Sequence, residues 1–422
     1  MHLIKLISQF QSYSFNMKSI LVWNMIFCFG LGIHLVLYNL FLQEILHDEV
    51  LVGKILGGNF LAQAIIYIPA GLFSDRFGSR KGVIAGVTLF VGSLLGNIFA
   101  STPGELSFWG FMVGLGHAAS IVSFVPLLTD YSHSSERSTL FTFAFSTGTF
   151  STFFGTLLGG IMSDSISTSF NISQIGSLRI TLAITILLLI ICTIPLFFVK
   201  EAENRTRSKE KSSSLLAVIK NDPRTLTPLF RFSIAKALAG ISIGSIAPLM
   251  NLFFLHKFAL SASYISFILA TGTLTTVLFM SFNSKITKKL SDVKAVSLYH
   301  ILSIPTIVLL GLTSNIWIAA IAYILFRSTK YGLNPIESKM MMEIVNPEVR
   351  GLTNSFGFMT HSLTISMIGP FSMYLVQVAG YQYGYLILCI ISAFGSLFSA
   401  FYFLITFRKS ERISPYKKIV TL

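Results

Sequence analysis

Gly71-Leu72-Phe73-Ser74-Asp75-Arg76-Phe77-Gly78-Ser79-Arg80-Lys81 lies between two long apolar runs. The chain around it is 53% hydrophobic and only 11% charged. On a soluble domain such a turn marks nothing in particular. Here it reads as a short, tightly built loop between two membrane-spanning helices, with Gly78 permitting the turn and Gly71 permitting close helix contact. Asp75 is placed to pair with basic groups or to accept hydrogen bonds at a neighbouring helix N-terminus. With Arg76, Arg80 and Lys81 it would hold one face of the protein shut, and those contacts would break on opening.

Working outward, mean hydropathy is +0.73, well above that of a soluble fold with a quarter of its residues charged. Apolar runs near the ~20 residues that cross hydrocarbon recur along the whole chain. Twelve are expected, near 20–43, 54–74, 82–100, 106–129, 139–163, 178–199, 227–255, 262–283, 295–312, 316–344, 353–377 and 383–406. Internal glycine and proline do not argue against helix, because neighbouring helices re-satisfy the backbone in lipid. The first run is followed by eleven others, so it reads as a retained helix and not a cleaved signal.

Charge distribution orients the chain. With the N-terminus placed in the cytoplasm, most of the 31 lysines and arginines fall in cytoplasmic connections, while Lys54, Arg179 and Lys257 fall at outer ends. That bias predicts an even number of spans with both termini inside. The net charge of +14 therefore reports topology and attraction to anionic lipid. It does not point to nucleic acid, since no basic folded domain exists to carry it. Cys28, Cys192 and Cys389 are isolated in apolar runs and carry no metal spacing or disulfide framework. No cofactor signature and no ATP-binding loop is present.

The polar stretch 201–226 separates two halves, 1–200 and 227–422, of six spans each, and the second half ends in a short basic tail. The halves echo one another. Arg137 precedes the fifth span as Arg350 precedes the eleventh, and Gly155-Thr156 then corresponds to Gly369-Pro370. The connection after the eighth span, Asn283 to Lys289, stands where 71–81 stands but has lost its glycines. Paired six-helix bundles are an architecture for alternating access.

The 71–81 cluster resembles the loop motif of the major facilitator superfamily, G-x-x-x-D-R-x-G-R-K, with Ser79 intervening before Arg80. With the twelve spans, the central loop and Arg137 and Arg350, the resemblance covers essentially the whole chain. It implies an all-α membrane protein of two pseudo-symmetric six-helix bundles, a central substrate cavity and rocker-switch transport, with Gly71, Asp75, Arg76, Gly78, Arg80, Lys81, Arg137 and Arg350 as cytoplasmic gate elements. Many drug–proton antiporters of this family end the fifth span in G-P-x-x-G-G. This chain has Gly155-Thr156-Leu157-Leu158-Gly159-Gly160, matching the glycines but not the proline. An efflux subgroup and simple close packing by small residues both account for that pattern. The fourth span, around Gly110 to His117, lacks the arginine often found in proton-coupled members.

Ionisable residues inside spans are functional candidates. The first half offers His34 and His117, either proton relays or satisfied polar groups between helices. The second half offers Lys236, Arg327, Lys330 and Glu337, while Arg231 and Lys339 lie near an edge and snorkel. Arg327, Lys330, Asn334 and Glu337 step by three or four and share a helix face, bent locally by Pro335. That stripe would bind an anionic group on a solute or, alternatively, neutralise itself by pairing Glu337 with Lys236 or Lys330. Asn39 and Asn251 are further cavity candidates. Gly155, Gly159, Gly160, Gly369 and Pro370 are assigned to helix packing and flexing.

The expected function is secondary transport of a small-molecule substrate across the cell membrane by a monomer, with no metal, no cofactor and no enzymatic role. Proton-linked export of a drug-like compound or metabolite is the leading reading. Uptake or exchange of an organic anion held by Arg327 and Lys330 is the second, and a non-transporting sensor on the same fold is the third.

Overall fold

Polar residues at the ends of apolar runs decide where the helices begin. The computed structural model describes residues 13–132, 137–199, 226–345 and 350–408. Ser14 accepts a hydrogen bond from the Met17 N–H at 3.3 Å and opens α1, Phe15–Leu46. Asp48 does the same for α2, Glu49–Phe77, through the Leu51 N–H at 3.0 Å. α3 spans Ser79–Phe99. Thr102 and Glu105 form a reciprocal capping box ahead of α4, Pro103–Asp130, with Pro103 in the first turn where its missing N–H costs nothing. α5 is Arg137–Phe170 and α6 is Gln174–Phe198, capped by Ser173.

The second half continues with α7, Leu226–Gly244, and, after a single 3-10 turn at Ala247–Leu249, the short α8, Met250–Phe258. α9 is Ala262–Lys289 and α10 is Asp292–Leu312, capped by Ser291. α11, Ile316–Gly332, is capped by Asn315, and α12 is Asn334–Ile344. α13, Arg350–Thr406, runs 57 residues but breaks at Gly380, where φ is 74°. A straight helix of that length at ~1.5 Å per residue would be far longer than a bilayer core, so Gly380 divides it into two spans.

Among the described residues all regular structure is helical. Among the described residues nine helical stretches, with α7 and α8 together forming one, are long and apolar enough to cross a membrane, and α13 counts once among them although it supplies two spans. α5 and the α11–α12 pair supply the others, each diluted by polar residues or cut short by a break. Large apolar side chains stand exposed along the spans, for example Leu187, Ile191, Phe267 and Met367, as hydrocarbon contact requires.

The chain divides into two units, 1–212 with 260–270, and 213–259 with 271–422. The first therefore takes in the opening turns of α9, where the Ser263 N–H donates to Asp164 Oδ2 at 2.8 Å and Gly160 leaves room for the Ala262 carbonyl and the Ser266 hydroxyl. The polar stretch 201–225, the basic tail beyond 408 and the Arg137 side chain lie outside the described residues.

Inside the first unit α1 packs along α5 and α6, and α4 along α2 and α3. The α1–α5 seam is made by glycine. A side chain at Gly32 would strike the Thr152 carbonyl, and one at Gly155 would strike the Phe29 carbonyl. Gly159 lies against Ile33, and Thr152 and Thr156 donate across the seam to the Cys28 and Gly32 carbonyls, both at 3.3 Å. In the second unit α13 packs on α7 and α10. Phe232, Val296, Tyr299, Ile336, Met340, Phe403 and Phe407 form its apolar core at one end. Gly369 is buried and Pro370 half-buried in the first arm of α13, which stays helical through both until Gly380.

Candidate functional site: a buried lysine, glutamate and histidine cluster

The second unit buries charge where its helices converge. Lys236 on α7 and Glu337 on α12 form an ion pair between Nζ and Oε2. The glutamate side chain is 5% exposed and the lysine 31%, so one partner is sealed and the other is reachable. Gly357 makes space for the lysine stem, its missing side chain lying 3.3 Å from Lys236 Cγ. Glu337 sits in the first turn of α12, where a negative charge suits the helix dipole. His361 on α13 approaches the Lys236 carbonyl through Nδ1 at 3.3 Å.

Lys330, in the last turn of α11, is 2% exposed and lies 3.1 Å from His300 Nδ1 on α10. His300 stacks on Phe403 at 5.9 Å, and its Nε2 has no hydrogen-bond partner. One turn back, the Arg327 guanidinium stands over the Tyr331 ring at 5.0 Å, a cation–π arrangement. Gly272 on α9 makes room for the arginine stem, and Arg327 Nε is buried without a partner.

The stripe expected over 327–337 is interrupted for one residue, Leu333, which keeps helical φ and ψ between Gly332 and Asn334. Pro335 in the first turn of α12 marks this local disturbance, because a proline lacks the N–H that an interior turn needs. Asn334 consequently opens α12 and is exposed, apart from the buried Lys330 and Glu337. Of the two neutralising partners considered for Glu337, Lys236 makes the ion pair and Lys330 turns to His300. Asn251 Oδ1 accepts from the adjacent Leu252 N–H at 3.0 Å, a local use at the start of α8. Lys339 is exposed and paired with Asp292 at 2.7 Å.

The first unit differs. His34 stacks on Tyr38 at 4.7 Å and meets Phe90 edge-on at 6.0 Å, and the His117 ring lies 5.9 Å from that of Phe90. His34 Nδ1 and His117 Nε2 are buried without hydrogen-bond partners. A small cavity lined by His34, Tyr38, Asn97 and Thr185 adjoins them. Asn39 is buried on α1.

The 71–81 loop is built differently from the expectation. Gly78, at φ 111°, both ends α2 and precedes α3, a conformation that side chains rarely adopt. Gly71 is not crowded, since the nearest atom to an added side chain is Val122 Cγ1 at 3.7 Å. Asp75 is exposed and takes no hydrogen bond from the N-terminus of α3. Asp130, at the end of α4, accepts instead from the Ser79 hydroxyl. Arg80 donates from Nε to the Leu196 carbonyl at 3.0 Å and also to the Phe197 carbonyl, placing a cation on the C-terminal carbonyls of α6. Arg76 and Lys81 are exposed on the same loop. Arg350 repeats the device in the second unit, donating to the Val345 carbonyl at 3.1 Å and to that of Met342.

Sequence reasoning missed His300, His361 and Asp130. The signal for the histidines was present, since both sit inside expected spans and the rule that singled out His34 and His117 applied equally to them. For Asp130 the signal was absent, because only the fold brings the end of α4 to the start of α3.

A family model described as Major Facilitator Superfamily matches residues 20–236 and 232–421. Similar folds include a bacterial homolog of the human lysosomal transporter Spinster in an inward-facing and occupied conformation (TM-score 0.74, 15% identity, covering 93% of this chain and 96% of that one). A D-xylose–proton symporter is similar as well (TM-score 0.75, 13% identity, 93% and 98% covered). A curated relative, the inner membrane transport protein YajR of Escherichia coli K12, is 30% identical over 93 residues, which is 21% of this chain and 19% of YajR. The chain belongs to the major facilitator superfamily of secondary transporters and is a multi-pass integral membrane protein.

Proposed function

We propose that this transporter carries a small organic anion coupled to protons, by alternating access. One observation carries the reading: among the described residues the second unit sets the buried Lys330 and the half-buried Lys236 and Arg327 against one buried carboxylate, Glu337, which is committed to Lys236. An excess of positive charge at buried and half-buried positions is costly in a membrane interior and is relieved by an anionic solute. Protonation of Glu337 releases Lys236, and the freed ammonium accepts the solute's carboxylate, sulfonate or phosphate. Anion and proton then bind together because each makes room for the other. Arg327, with a buried Nε that lacks a partner, is a second contact for the same group.

The export reading drew on Gly155, Gly159 and Gly160. Each of these lies in close contact across a helix seam, so a packing role accounts for them and they no longer favour one direction.

The test is uptake into proteoliposomes of a mixed panel of organic anions and lipophilic cations, with and without an imposed proton gradient. Accumulation of an anion that rises with an inward proton gradient is the expected result. Gradient-driven movement of cations or neutral drugs, with no anion transported, would overturn the anion assignment and restore the export reading. Arg327→Gln is expected to lower apparent anion affinity at least tenfold, about 1.4 kcal/mol, measured from the concentration dependence of uptake.

A further inference from the structure

His300 and Lys330 are among the most enclosed polar residues of the second unit, at 1% and 2% exposure. Their nitrogens are 3.1 Å apart, and among the described residues Lys330 has no carboxylate within ion-pair distance. Most buried ammonium groups are balanced by an acid. This one has a neutral imidazole nitrogen in that place.

The geometry fixes the bookkeeping of protons. For Lys330 to donate to Nδ1, that nitrogen must carry no proton, so the neutral ring keeps its proton on Nε2. In the structure Nε2 has no acceptor. A second proton on the ring would set two like charges 3.1 Å apart in a medium that screens them poorly. The pair therefore holds one labile proton between Nζ and Nδ1, and not two.

We infer that His300 and Lys330 form a second proton-binding group beside the Lys236–Glu337 ion pair, sharing one proton that is taken up and released as the charge of the neighbouring site changes. This inference rests on the reading of the cluster as the transport site. The charged groups facing the pair are Lys236 from α7 and Glu337 from α12. From α13 it is faced by the Phe403 ring, which carries no charge. On α10 itself the neighbouring Tyr299 hydroxyl is engaged, donating to Asn283 Oδ1 at 2.6 Å. When Glu337 is ionised it favours a charged Lys330. When Glu337 is protonated and Lys236 is free, the balance tips toward release of the shared proton. His300 is the positioning residue, because it holds the ammonium where both states are accessible.

The test is a difference proton titration of the purified full chain in lipid nanodiscs, between about pH 9 and pH 5, where such coupled groups are counted together. Lys330→Met is expected to take up about one proton fewer than the wild type. His300→Gln, whose amide oxygen still accepts from Lys330 but takes no proton, is expected to keep the count and move the midpoint of that step by about one pH unit. A Lys330→Met curve superimposed on the wild type overturns the inference. Should that variant fail to fold, an unshifted midpoint in His300→Gln, checked for a wild-type elution profile, overturns it equally. The readout needs no substrate. A titrating pair in a protein that moves no anion would sink the anion reading alone, and proton-linked anion transport without the titrating step would sink this one alone.

Discussion

The first unit carries its buried ionisable groups as aromatic neighbours, and the second carries them as charges. His34 and His117 both pack against the Phe90 ring. Lys236, Glu337, Lys330 and His300 instead face one another across four helices. The seams differ in the same sense. Backbone contacts backbone along α1 and α5, where Gly32 and Gly155 leave no room for a side chain, whereas α7, α10, α11 and α12 set polar side chains against one another beside the apolar core of that unit. A helix pair in lipid gains little from apolar burial, since the surroundings are equally apolar, and must associate through close packing or polar contacts. The comparison teaches where to look for coupling: in the unit that tolerates the expense of buried charge.

The strongest way to break the comparison is to unpair Lys236. Glu337→Ala leaves an ammonium facing a sealed apolar hole, and removal of one partner of a buried ion pair costs roughly 3–5 kcal/mol. Because Lys236 is 31% exposed, water relieves part of that, and a loss of about 3 kcal/mol is expected in reversible unfolding. The double substitution Lys236→Met with Glu337→Met is expected to regain most of the stability while transport stays lost. Recovery of transport in the double variant would show that the pair serves packing and not coupling.

A substitution of middle size separates the two means of association. Gly155→Ala places a methyl group against the Phe29 carbonyl, and the main chain cannot swing aside as a flexible side chain can. Overpacking of this kind typically costs ~1–3 kcal/mol. The variant is expected to unfold more readily, yet to keep the wild-type pH dependence of any transport it retains, measured by normalised uptake across pH. A shifted pH profile would mean that the α1–α5 seam takes part in coupling, and the contrast between the units would fail.

Much of this architecture was legible in the sequence. The runs 20–43, 54–74 and 106–129 each fall inside one helix, and 82–100 overruns its helix by one residue, because a bilayer demands apolar length and short polar residues such as Ser14, Asp48 and Thr102 must cap what lies between. The break after Gly332 was less legible. Pro335 signalled a local disturbance, but its extent depends on how α12 docks on the Phe232 and Tyr299 core, which one chain segment does not encode. The site was half legible. Glu337 with Lys236 was among the pairings weighed, because opposite charges in apolar spans must meet. Lys330 with His300 was not, since two bases attract no attention as a pair until the fold sets them 3.1 Å apart.

The smallest expected effect concerns the two glycines of the 71–81 loop, and it asks whether the first unit relies on glycine everywhere or only where geometry compels it. Gly78 stands at φ 111° between α2 and α3, where a side chain meets the backbone whatever space surrounds it. Gly78→Ala is expected to cost ~1–2 kcal/mol, as for other non-glycine residues held in sparsely populated backbone conformations. Gly71 lies inside α2 with its nearest would-be neighbour at ordinary contact distance, 3.7 Å. Alanine suits a helix interior better than glycine by roughly 0.5–1 kcal/mol, so Gly71→Ala is expected to stabilise by about that amount and to leave transport intact. Paired unfolding curves read both signs in one experiment. Equal losses at the two positions would mean that Gly71 meets a close neighbour during the transport cycle, because nothing touching it in this conformation would penalise a methyl group.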